Sequence, residues 1–147
     1  MKKCQGITLI EWIVVVAVVG ILAATVLPKF MDLGPDARVA AMQATEGAMR
    51  SANTALYTRA AAVRQQDVAV TTLPLPDGKA VGLRFGYAAD AGELSKAMRL
   101  DASRVELAGK NELIYRGKPA CRISYTAPTA AGVPPAYNAA AVRAENC

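Results

Sequence analysis

The sequence predicts an α+β fold, in which a long, kinked N-terminal helix is followed by an antiparallel β-sheet head. Two observations predict it. An uncharged run from Trp12 to Leu27 passes into a segment with helical apolar spacing that reaches Val63. Beyond it, short stretches alternate apolar and polar residues and are separated by Pro, Gly and Asn turn signals.

The helix is expected to begin near Ile7. From Ile7 to Leu27 is about 21 residues, or about 31 Å at about 1.5 Å per residue, close to the thickness of a bilayer core. Proline removes a helix hydrogen bond, so bends are expected near Pro28 and Pro35, with Gly20 as a second flexible point. Beyond Pro35, Met42, Met49, Leu56 and Val63 recur at seven-residue spacing. Ala41, Thr45, Ala48 and Ala52 flank that stripe, and Arg38, Arg50 and Arg59 lie off it. The stripe reads as a face packed on the head, with small residues that let a sheet approach closely.

Residues 65–78 read as a loop with a short strand from Val68 to Leu73, followed by turns at Pro74, Pro76 and Asp77-Gly78. A strand is expected from Val81 to Tyr87. Asp90 to Leu100 reads as a short helix with Asp90 and Glu93 at capping-box spacing and Leu94, Ala97 and Met98 on one face. Strands are expected at 103–108 and 112–116, with a turn at Gly109-Lys110-Asn111, because Val105 and Leu107 alternate with Arg104 and Glu106. Cys121 to Thr126 alternates too. From Pro128 the Ala-, Gly- and Pro-rich chain reads as a loop.

The N-terminus carries the chemistry. Lys2 and Lys3 precede Gly6, and Glu11 stands just before the uncharged run. A carboxylate inside an apolar helix costs up to about 3 kcal/mol on insertion scales, so a chain that keeps one needs a partner for it. Ile21-Leu22-Ala23-Ala24 offers a secretory cleavage site, but Glu11 interrupts the apolar core such a signal requires. Cys4 is a lipoprotein candidate that no apolar segment precedes.

Lys-Lys-Cys-Gln-Gly followed by Ile-Thr-Leu-Ile-Glu resembles the prepilin leader of type IV pilins and type II secretion pseudopilins. The resemblance implies cleavage by a membrane prepilin peptidase between Gly6 and Ile7, and N-methylation of Ile7. It implies that Glu11 pairs with the new amine of a neighbouring subunit and sets register. Ile7 replaces the family's usual phenylalanine, and Trp12 is bulkier than the typical residue there. Phe85-Gly86-Tyr87, Asp90-Ala91-Gly92 and the 121–126 strand resemble the MSHA-type (mannose-sensitive haemagglutinin) pilins, with Ala88 where proline is expected.

The expected organisation is then a cleaved leader at 1–6, a transmembrane and assembly helix at 7–28, and an amphipathic helix at 29–64. The head follows at 65–147, with a disulfide-bounded region at 121–147. The implied partners are further copies in a helical fibre, the prepilin peptidase, an inner-membrane assembly machinery, the membrane before assembly, and a host or surface receptor. Basic residues before the span favour a cytoplasmic N-terminus and a periplasmic head that ends outside the cell. The alternatives are a type II secretion pseudopilin and a plain membrane-anchored periplasmic binding domain.

Three cysteines are present. Cleavage after Gly6 removes Cys4 and leaves Cys121 and Cys147, which an oxidising compartment would join. The bridge would also tie down the last residue of the sequence. Removing Lys2 and Lys3 leaves 15 basic and 12 acidic side chains, a net of +3. With no basic cluster interleaved with aromatics, the charge gives no reason to expect nucleic-acid binding. The chain contains no histidine, no CxxC pair, no glycine-rich phosphate loop and no nucleophile elbow. Glu93, Asp101 and Glu106 are scattered carboxylates that read as a solvated face. Neither an enzyme nor a cofactor or metal site is expected.

Overall fold

The computed structural model describes residues 9–31 and 33–147, with side chains described over 9–24 and 34–147. The chain divides into two compact units, 1–34 and 35–147. The boundary falls just inside the start of the amphipathic helix, the rest of which belongs to the head because its apolar stripe is buried there.

In the first unit, helix α1 spans Leu9–Met31. Its side chains from Leu9 to Ala24 are exposed on every side of the helix, including Trp12 at 66% and Ile21 at 67%. A helix that is apolar all round requires burial by lipid or by other helices. Among the described residues no helix is long and apolar enough to cross a membrane. The span expected over 7–28 takes in Ile7 and Thr8, which lie outside the described residues. Helix continues through Pro28 to Met31.

Helix α2 spans Leu33–Ala62, and from Pro35 onward it belongs to the second unit. Pro35 lies near its start, and Asp32, which stands between α1 and α2 in the sequence, falls outside the described residues. Met42, Met49, Leu56 and Ala60 are buried, as the stripe predicts. Val63 departs from it: it is 54% exposed and lies beyond the helix. The cause is local. Arg64 adopts left-handed backbone (φ 57), and the Gln65 N–H donates to Ala60 O at 2.8 Å while the Arg64 N–H donates to Ala61 O at 3.0 Å. These are the two bonds of a Schellman cap, which ends the helix and turns the chain away before Val63 can face the core.

Two antiparallel sheets replace the single sheet expected. The first has the order β1-β2-β3, with β1 at Thr71–Pro74, β2 at Ala80–Arg84 and β3 at Tyr87–Ala88. The strand expected from Val68 begins only at Thr71, and Val70 is 77% exposed. Pro74 stands on an edge strand, where its missing N–H is harmless. The strand expected from Val81 to Tyr87 is a hairpin. Phe85 (φ 49) and Gly86 (φ 82) form its two-residue turn, the geometry that matches strand twist. A Cβ on Gly86 would fall 2.8 Å from the Tyr57 ring, so only glycine fits there.

Helix α3 spans Ala91–Ala97. Asp90 Oδ1 accepts the Glu93 N–H at 2.7 Å as expected, but the Glu93 carboxylate does not reach back to Asp90. It crosses instead to β2, accepting the Gly82 N–H at 2.7 Å, and it also accepts from Lys96 Nζ at 2.6 Å.

The second sheet has the order β4-β5-β6-β7, with β4 at Val105–Ala108, β5 at Glu112–Tyr115, β6 at Lys118–Thr126 and β7 at Ala136–Asn138. Gly109 (φ 76) makes the turn after β4. Leu107 is 40% exposed although Val105 is buried, so the alternation holds at only one of the two positions. Strand β7 pairs with β6 at Ser124–Asn138, Tyr125–Tyr137 and Thr126–Ala136, inside the segment expected to be a loop. Both sheets, α2 and α3 share one core that includes Leu83, Leu94, Leu113 and Ile123, each fully buried. Each such side chain contributes about 1.5–3 kcal/mol of burial free energy.

Candidate functional site

Two regions carry the residues singled out from sequence. In α1, Glu11 lies in the first turn and is exposed. Gly20 lies mid-helix, and a methyl group added at its Cα would meet no described atom within 4 Å, so close packing among the described residues does not explain it. Pro28 is helical; its side chain, like Gly6 and Ile7 entirely, lies outside the described residues.

The second region is the disulfide-bounded segment. Cys121 on β6 is joined to Cys147, with Cα atoms 4.8 Å apart and both side chains buried. Cys147 is fixed a second time, because its carbonyl accepts from Arg38 Nη1 of α2 at 2.7 Å. The segment is thus tied both to the sheet and to the helix.

Between the two cysteines, Tyr125 and Tyr137 close over Asn53 of α2. Asn53 is 1% exposed. Its Nδ2 donates to Tyr137 Oη at 2.7 Å and to Tyr125 Oη at 3.3 Å, and its Oδ1 accepts the Ala88 N–H at 2.9 Å. Tyr125 Oη in turn donates to the Ala88 carbonyl at 2.8 Å. Burial pushes the Tyr125 and Tyr137 hydroxyls above the usual phenol range, against an opposing pull from Asn53, so both stay protonated. Arg50 lies over the Tyr137 ring at 4.5 Å, and Tyr57 stacks on Tyr87 at 4.7 Å. The network joins α2, β3, β6 and β7. Sequence reasoning missed it, since one asparagine on an apolar stripe carries no periodic signal.

Orphaned polar groups are costly, and Asn53→Ala would create one. It removes three bonds and strands the Ala88 N–H, so the head should lose about 2–4 kcal/mol. Chemical denaturation of the two chains measures this, and an unchanged midpoint would contradict it.

Glu93 gives a second prediction. Burial raises its pKa, but the bonds from Lys96 and Gly82 and the Lys96 charge outweigh burial and hold it below the usual glutamate range. The folded state therefore binds this proton less readily than the unfolded one. Its contribution is present above the unfolded pKa and is lost as pH falls through the folded value. Glu93→Gln should flatten the acid limb of a melting-temperature profile below about pH 4.5. An acid limb identical to that of the parent would refute this.

Glu93, Asp101 and Glu106 do not converge. Each meets its own cation: Lys96 at 2.6 Å, Arg104 at 3.3 Å and Arg116 at 3.5 Å. Among the described residues no group of three metal-ligating side chains is placed to hold an ion.

The long N-terminal helical region, the antiparallel sheets and the Cys121–Cys147 disulfide fit the type IV pilin fold. The prokaryotic N-terminal methylation motif matches residues 1–27, which span Lys2, Lys3, Glu11 and the apolar run. These findings make the chain type IV pilin-like, a class whose members are structural. The chain is similar to the type IV narrow pilus major component PilA5 of Thermus thermophilus, at 44% identity over 50 residues. That match covers 34% of this chain and 43% of the relative, so it spans less than half of either protein. No solved structure matches the chain.

Proposed function

We propose that this chain is the subunit of a type IV pilus of the MSHA-like kind, serving adhesion, surface attachment or motility. The observation that carries the reading is the methylation motif over residues 1–27 in a chain whose head is closed by a disulfide. In this reading residues 1–6 are a leader, 7–28 the membrane and assembly helix, 29–64 the amphipathic helix, and 65–147 the head. Prepilin peptidase cuts between Gly6 and Ile7, and Ile7 is N-methylated. Before assembly the subunit sits in the inner membrane with its N-terminus cytoplasmic and its head periplasmic. An assembly machinery then transfers it to an extracellular fibre of identical copies.

Glu11 meets the Ile7 amine of a neighbouring copy. A buried charge pair adds little net stability, yet every wrong register leaves a charge unpaired, so the pair selects one register. The uncharged run from Trp12 to Leu27 leaves lipid for a helix bundle with little change in polarity, and Gly20 and Pro28 let it adjust. The relative named above is a pilus major component, which supports the same role here.

Shearing cells that express the chain tests this reading. Abundant surface fibres containing the chain support it. Loss of a secreted protein on deletion, without surface fibres, would point to a type II secretion pseudopilin instead. A bulky residue at Gly6, such as Gly6→Trp, should block processing and leave full-length precursor on an immunoblot. Normal maturation of that variant would contradict the assigned cleavage.

A further inference from the structure

Two adjoining clefts run beside α2. The larger, about 400 Å³, lies between Ala52, Leu56 and Arg59 and the segments carrying Lys79, Lys96 and Met98. The second, about 250 Å³, continues past Ala44 and Ala48 and shares Met98 and Arg99 with the first. The floor is apolar and the rim charged, with Arg59, Lys79, Lys96, Arg99 and Arg104 against Asp77 and Asp101. Lys79 is already paired with Asp77 at 3.4 Å and Lys96 with Glu93 at 2.6 Å, and Arg59 donates to the Pro74 carbonyl at 2.9 Å. Arg99, at the junction of the clefts, makes no ion pair among the described residues.

A matching acid stands elsewhere on the same unit. Among the described residues, every side-chain carboxylate of 35–147 except Asp36, Asp67 and Asp90 has an Arg or Lys nitrogen within 4.0 Å. Asp90 caps α3, and Asp67 accepts from the Gln66 amide. Asp36 is exposed in the first turn of α2, between Pro35 and Ala37. The one cation beside it in sequence, Arg38, is turned to the Cys147 carbonyl. Arg99 lies against α2 around Ala48 and Ala52, which places it about 18–24 Å along the helix axis from Asp36. The two therefore do not meet within one chain.

We propose that Asp36 of one copy docks against Arg99 in the α2 cleft of the next. The two patches differ, so the contact is heterologous, and a heterologous contact whose rotation does not close builds a helical filament. The small residues around Asp36 suit the alanine-lined floor, and the acid supplies a partner for Arg99, the cleft cation that has no ion pair or hydrogen bond among the described residues. The proposal rests on the fibre reading above.

Charge exchange tests it. Asp36→Arg alone and Arg99→Asp alone should each lower sheared-fibre yield by about tenfold, because each sets like charges face to face. The double variant should recover to within about threefold of the unaltered chain. Immunoblots of subunit level separate assembly from folding. If an altered subunit does not accumulate, the milder Asp36→Asn and Arg99→Gln replace it, with partial loss of fibres expected. Fibres at normal yield in both single variants, or a double variant no better than the singles, would overturn this contact and leave the fibre reading intact. An unaltered chain that forms no fibres would overturn both.

Discussion

Glu11→Ala should yield a processed, stable subunit that assembles at least about tenfold fewer fibres than the parent chain, because under the proposed pairing the Ile7 amine is left without its partner in the bundle. The head's core does not include this residue. Glu11 belongs to α1, in the unit of residues 1–34, while the core is built from residues 42 to 147. Subunit level and melting temperature should therefore stay unchanged while assembly collapses. That separation distinguishes a register role from a folding role. Removing one member of a buried charge pair costs about 3–5 kcal/mol, and the loss recurs at every subunit added. Glu11→Gln keeps size and polarity and removes the charge, so it should fail almost as badly. Fibre numbers equal to the parent's in both variants would sink the pairing.

The second large effect is on the head. Replacing Cys121 and Cys147 together by serine should cost about 3.5 kcal/mol, the loop-closure value for a crosslink spanning 26 positions. For a head of this size the melting temperature should fall on the order of 10 °C. The loss is expected to spread beyond the bridge. Strand β7 pairs with β6 at three positions only, and it carries the Tyr137 hydroxyl that Asn53 needs. Loosening it exposes a polar group buried in α2. Calorimetry of the double variant, beside the parent treated with reductant, measures this. Melting within a degree or two of the oxidised parent would show that the bridge adds nothing.

The two regions differ in how much of them is legible in the sequence. The heptad of Met42, Met49 and Leu56 is readable because burial on one face of a helix leaves a period in the sequence. The Asp90 cap of α3 and the Gly109 turn are readable because each demands a particular residue type. The end of α2 is not readable, because Arg64 adopts a conformation usually signalled by glycine. The Phe85-Gly86 hairpin is hidden inside a run that alternates well enough for one strand. Strand β7 is hidden because Ala136–Asn138 draws its stability from β6 and from Asn53, not from its own composition. In the candidate site, Cys121 and Cys147 are legible because the expected cleavage after Gly6 sets Cys4 aside and leaves them as a pair. The Asn53 network is not, since it exists only once four elements have converged.

Intact mass of the membrane-extracted protein under non-reducing conditions, with N-terminal sequencing, tests the central claim most directly. A chain that begins at N-methylated Ile7 with two thiols oxidised is the predicted result. It would establish processing at Gly6 and export of the head in one experiment. A chain that begins at Met1, or after Ala24, would remove the amine that Glu11 requires and contradict the fibre-subunit account.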